Sequence, residues 1–156
     1  MAQLGQILVY AGDWKEALEA LERAARLHRF YPSWYSIFLC RLSAKAGDLD
    51  RAVQYGRDGI LRAGEEDKGL KGFIHGSLAW AYATAGRMEE ARKEMAEGLR
   101  VFPQLSVAAY RRVTHYRDPA ELEQLLEVLR TAGLPETPPR PVPDKPSIVA
   151  SPFDNP

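Results

Sequence analysis

Cysteine is almost missing from this chain: Cys40 stands alone among 156 residues. That excludes an intramolecular disulfide framework and any multi-cysteine metal site, and it fits a reducing compartment. On a helix, Cys40 takes the place of a small close-packing residue, with no histidine partner indicated for a catalytic thiol. Histidine is scarce too. His28, His75 and His115 fall one per region, without the i, i+4 pairing or adjacent carboxylate motif of a metal-binding helix, so they are expected at the surface or between helices. Charge of one sign is missing as well. The 21 Lys and Arg residues balance 21 Asp and Glu residues, so no global field draws the chain to nucleic acid or to an anionic membrane. No apolar run approaches the roughly 18 residues of a membrane-spanning helix. The opening MAQLGQILVYAGDWKEAL lacks a basic leader, and Asp13 and Lys15 interrupt its helically spaced apolar residues, so it does not read as a signal peptide. A soluble, cytoplasmic protein is expected. Gly64, Gly69, Gly72 and Gly76 match neither GxGxxG nor the Gly-Lys-Ser/Thr ending of a phosphate loop, and no strand precedes them. No acid/base or nucleophile constellation is present. The expectation is a protein that is not an enzyme, with no catalytic residues, no metal and no cofactor.

What is present is a repeat. The segments AGDWKEALEALERAA (11–25), AGDLDRAVQYGRDGI (46–60) and AGRMEEARKEMAEGL (85–99) align, each opening with Ala-Gly and placing an alanine five residues after the glycine. The glycines Gly12, Gly47 and Gly86 are spaced by 35 and 39 residues, close to the roughly 34-residue period of a helix-turn-helix repeat. GEEDKG (64–69) takes up the longer interval as a loop. Each Ala-Gly closes one helix, since glycine accepts the left-handed C′ conformation. Asp13 and Asp48 then stand where the next helix needs an N-cap, with Glu16 completing a capping box for Asp13. Ala17, Ala52 and Ala91, with Ala24, Gly59 and Gly98, let helices approach closely. Gly56 and Gly59 predict a weak second helix in the second repeat, at about 1 kcal/mol per glycine relative to alanine.

The pattern predicts helices over 2–11, 14–29, 33–46, 49–62, 68–85, 88–101 and 105–116. One more follows with clear punctuation: Asp118 as N-cap, Pro119 at the first helical position, Glu121 at N3, and a Leu122, Leu125, Leu126, Leu129 stripe ended by Gly133 and Pro135. A helix with one apolar face suits the end of a solenoid, which needs a cap. From Pro135 the chain carries eight of its eleven prolines and no helical period, which predicts an extended, mostly disordered tail. Two units are therefore expected, a helical repeat domain over 1–134 and a Pro-rich tail over 135–156.

The Leu-Gly, Tyr, Ala-Gly, Ala and Pro landmarks over 1–116 resemble tetratricopeptide (TPR) repeats. The resemblance implies an all-α, TPR-like superhelix of about three helix pairs with a C-terminal capping helix. RFYPSWYSIFLCRLSAKAGDLDRAV (29–53) and YRDPAELEQLLEVLRTAGLPE (116–136) are further similar to the C-terminal TPR regions of bacterial class III adenylate and guanylate cyclases and related regulators. Nothing here supplies the paired metal-binding aspartates of a cyclase domain. Met1 falls inside the first helix of the first repeat, so that repeat is expected to lack its beginning and its cap.

In such a solenoid the first helix of each pair lines the concave face. By repeat register that face carries Gln6 and Tyr10; then Trp34, Phe38, Arg41 and Lys45; then Phe73, Ser77 and Trp80; and finally Tyr110 and Arg111. Aromatic rings beside Arg and Lys suit a peptide with apolar anchors and a negative group. The alternative places Trp34, Phe38 and Trp80 in the core between repeats. The carboxylate-clamp pattern of chaperone-binding TPRs is not matched, because Ala2, Gln6, Phe38, Phe73 and Ser77 hold the clamp positions. The expected function is a protein–protein interaction module binding a partner peptide or domain through its concave face. The alternative is a regulatory or dimerising C-terminal portion of a cyclase or transcriptional regulator. Self-association through the uncapped first repeat is a further expectation.

Overall fold

The computed structural model describes residues 13–28 and 30–140. Over these residues the chain forms seven α-helices and no strand: α1 Trp14–Leu27, α2 Tyr35–Lys45, α3 Leu49–Arg62, α4 Lys68–Thr84, α5 Met88–Val101, α6 Val107–Val113 and α7 Pro119–Thr131. The helix expected over 2–11, with Gln6, Tyr10 and the expected truncation of the first repeat, lies outside the described residues, as does the tail from 141. Among the described residues no helix is long and apolar enough to cross a membrane.

The helix ends follow from single residues. Gly47 and Gly86 take positive φ (85° and 79°), a conformation open to them because they lack a Cβ. The next amide then reaches back to the carbonyl five residues earlier: Asp48 N–H donates to Ser43 O at 3.0 Å, and Arg87 N–H to Tyr82 O at 2.9 Å. Leu134 N–H closes α7 the same way on Leu129 O. At the starts, the side chains of Asp48, Asp67, Ser106 and Asp118 accept from the amides of Arg51, Leu70, Ala109 and Ala120. Asp13 makes no side-chain cap bond, so the expected capping box does not form. Two expected helices are shorter than their apolar spacing. Before α2, Tyr35 and Ser36 donate to Pro32 O and Ser33 O in three-residue turns. At α6, Leu105 N–H turns back to Phe102 O, and Thr114 is extended.

The helices stack as hairpins. α2 pairs with α3 and α4 with α5, while α4 also packs on α2, α3 and α7. The core runs through the stack in three linked clusters. Leu21, Tyr35, Phe38 and Leu39 lie between α1 and α2; Cys40, Ala52, Ile74 and Leu78 lie among α2, α3 and α4; Met95, Leu105, Leu126 and Leu129 join α5, α6 and α7. Small residues set the spacing. A Cβ at Gly56 would lie 2.5 Å from Leu78 Cδ2, and one at Gly59 would lie 2.3 Å from Ser36 Cβ. The two glycines expected to weaken α3 are therefore the ones that let it seat against α2 and α4.

A buried polar staple crosses the same layer. Glu94 of α5 receives both guanidinium nitrogens of Arg57 from α3, one of them at 3.2 Å, and its Oε2 lies 2.9 Å from His75 Nδ1 of α4. Burial pushes the Glu94 carboxyl up, but the hydrogen bonds from His75 and Arg57, with the Arg57 charge, outweigh it and hold the group below the usual carboxylate range. His75 is thus interhelical. Past α7, Pro135 O and Glu136 O accept from the amides of Val107 and Ala108, so the first residues of the expected tail are held to the start of α6.

Candidate functional site

The register of α2 brings Phe38, Arg41, Leu42 and Lys45 to one side at spacings of three and four residues, the spacing of a single helix face. α4 contributes Trp80 and Thr84 one turn apart. α7 contributes Glu121, Gln124, Leu125 and Val128. With Trp14 of α1 and Tyr116 before α7, these residues enclose an open groove of about 290 Å³. α4 is its floor, with α2 and α7 as walls on either side.

Rings and cations alternate in it. The Arg41 guanidinium carbon lies 5.6 Å from the centre of the Phe38 ring and 5.9 Å from that of Tyr116. Lys45 Nζ lies 5.7 Å from the Trp14 ring. Each distance falls within cation–π range. Phe38 is 6% exposed and belongs to the core beneath the α2 wall, while Trp14, Trp80 and Tyr116 are half-buried.

The residues expected on the concave face separate into groups. Phe38, Arg41, Lys45 and Trp80 line this one groove. Trp34 does not line it. Its ring packs on Tyr35 and Phe38, with centroids 4.5 and 5.9 Å apart, because it sits in the turn before α2 and not on the helix. Phe73 packs on Phe102 and Tyr110, and Ser77 is buried, donating to Phe73 O at 3.1 Å. Tyr110 is a correction. It is 5% exposed, pressed over Gly76, where a Cβ would meet its hydroxyl at 2.1 Å, and burial raises its phenol pKa. Arg111 is exposed and paired with Glu123 on α7, away from the groove. Gln6 and Tyr10 lie outside the described residues.

Sequence reasoning missed Trp14 and the whole α7 wall. The signal was there: Glu121, Gln124, Leu125 and Val128 form a second i, i+3, i+4, i+7 stripe one position ahead of the leucine stripe. Taking α7 as an end cap hid a wall in plain helical spacing.

On the other side of the stack, Tyr31 donates to Asp58 at 2.8 Å, Tyr55 to Glu22 at 3.2 Å, and Arg51 bridges to Glu22 at 3.0 Å. Burial and the Asp58 carboxylate push the Tyr31 phenol up to about 12. These groups satisfy one another and tie α1 and its following loop to α3.

Comparison with known proteins bears on the repeat alone. No curated protein and no solved structure matches the chain, and nothing in the comparisons supports the likeness to cyclase regions. The tetratricopeptide repeat family model matches residues 73–97, from the middle of α4 through most of α5. That hairpin carries the Leu78, Ala79, Tyr82, Gly86, Ala91 series in full, and with the helical stack around it the fold is an all-α, TPR-like helical repeat.

Proposed function

We propose that the chain is a non-catalytic interaction module that takes a short segment of a partner protein into the groove between α2, α4 and α7. The observation that carries this reading is the groove itself: Trp14, Phe38, Trp80 and Tyr116 line it together with two cations, on a fold whose concave surface is its usual binding face. Aromatic and arginine side chains in a partly closed pocket are the residue types that dominate binding energy. Phe38, Arg41, Lys45 and Trp80 carry over from the sequence as contact residues, and Trp14 and Tyr116 join them.

The test is a random-peptide library panned on the wild-type chain, with the selected peptides measured on variants. Trp80→Ala should weaken them by about 30-fold, the loss of a hot-spot residue, and Arg41→Glu by a similar factor. Selected peptides that bind both variants as tightly as the parent would sink the reading.

A further inference from the structure

We infer that the groove selects a segment in which one bulky apolar side chain stands next to a carboxylate. The inference rests on the interaction reading above and narrows it to one ligand chemistry. Size sets the first limit. A volume of about 290 Å³ lies at the lower edge of ligand pockets, roughly 300–1,000 Å³, and holds one large side chain with its flanking backbone. α7 closes the side along which a longer ligand would spread, so a single anchor enters, against Trp80 and Val128.

Charge sets the second limit. Arg41 and Lys45 stand one turn apart on α2, and each meets ring faces. Among the described residues neither forms an ion pair with a carboxylate; Arg23, Arg26, Arg92, Arg112 and Arg117 form none either, but of these cations only Arg41 and Lys45 line the groove. A guanidinium laid over rings keeps its in-plane N–H groups for an outside acceptor, and that fork matches a carboxylate. Glu121 on the facing wall repels an anion, so the ligand's acid is directed to the α2 side and the segment enters in one orientation.

The experiment titrates the ¹⁵N-labelled full chain with three blocked peptides, acetyl-Asp-Phe-Gly-amide, acetyl-Lys-Phe-Gly-amide and acetyl-Asp-Ala-Gly-amide. The three indole N–H signals report on place, because Trp14 and Trp80 line the groove and Trp34 does not. The Asp-Phe peptide should shift Trp14 and Trp80, leave Trp34, and bind about tenfold tighter than either other peptide. Arg41→Gln with Lys45→Gln should bring it down to the level of the Lys-Phe peptide without changing the urea midpoint. Equal binding of the Asp-Phe and Lys-Phe peptides at the groove overturns this inference and leaves the interaction reading standing. No groove shift with any of the three overturns it as well; the interaction reading falls with it only when the panned peptides are also indifferent to Trp80→Ala.

Discussion

Gly59→Ala separates helix propensity from packing at a position where the two have opposite signs. By propensity alone, alanine in a helix interior is worth about 1 kcal/mol over glycine. In the stack, α3 presses on α2 at this point. A Cβ on residue 59 would lie 2.3 Å from Ser36 Cβ, 2.5 Å from its Oγ and 3.2 Å from Ile74 Cδ1. No rotamer moves a Cβ, so relief requires the two helix backbones to part by more than about 1 Å before carbon atoms reach their ordinary separation of roughly 3.5–4.0 Å. Overpacking costs about 1–3 kcal/mol, and a clash carried by backbone belongs at the upper end. Less the propensity gain, the variant should be destabilised by about 1–2 kcal/mol, which lowers the thermal midpoint by roughly 4–10 °C for a domain of this size.

Urea unfolding followed by circular dichroism at 222 nm reads the change as a shift in midpoint at constant slope. Two controls isolate the cause. At Gly69, in the first turn of α4, the nearest atoms to an added Cβ are those of the Phe102 ring at 3.9 Å, so Gly69→Ala should stabilise by a few tenths to about 1 kcal/mol. Ser36→Gly in the Gly59→Ala background removes the opposing Cβ and should recover most of the loss despite its own helix cost. A Gly59→Ala chain as stable as the parent would refute the close-approach reasoning.

Three further outcomes follow from the same structure. Glu94→Gln leaves Arg57 and His75 without their carboxylate and should cost about 2 kcal/mol, below the fully buried case because Arg57 is half-exposed. Because the folded Glu94 carboxyl is held below its unfolded value of about 4.3, its stabilisation is complete above that value and is lost as pH falls through the folded value. The parent's urea midpoint should therefore drop more steeply below about pH 4.3 than that of Glu94→Gln; parallel profiles would remove the charge from the account. The Cys40 thiol, fully buried and pushed up to about 12, should not react with a thiol reagent in the native chain at pH 8 and should react in full in urea. Rapid native labelling would mean that the α2–α3–α4 layer opens.

How much of this was legible in the sequence depends on how local the cause is. The starts and ends of α3 and α7, and the start of α5, were readable because a glycine with positive φ, a proline at the first helical position and a capping aspartate each act within one turn. Gly56 and Gly59 were legible as glycines, but their sign was not: it depends on Leu78 and Ser36, which lie 22 and 23 residues away in sequence. Repeat register placed Phe38, Arg41, Lys45 and Trp80 on one face because it transfers from helix to helix. It misplaced Tyr110 because α6 is only seven residues long, and its tyrosine packs inward against Gly76. The Arg57–Glu94–His75 staple joins three helices and has no spacing signature at all.

The closed end of the groove also bounds its affinity. A regular further repeat would have left the concave face open along its length, but the chain turns over after the short α6, and α7 packs against α4. A single aromatic anchor buries roughly 150–250 Å², worth about 4–6 kcal/mol at 25 cal/mol per Å², and a charge-assisted contact adds about 1.5–3 kcal/mol. Association and ordering oppose this by at least about 4 kcal/mol. The balance lies below the roughly 8.2 kcal/mol of a 1 μM complex. A peptide seated only in this groove should therefore bind more weakly than about 1 μM. A tighter one should lose its advantage when shortened to the anchor and its acid, because the excess must come from contacts outside the groove; a truncated peptide that stays tighter would mean that α7 moves aside on binding.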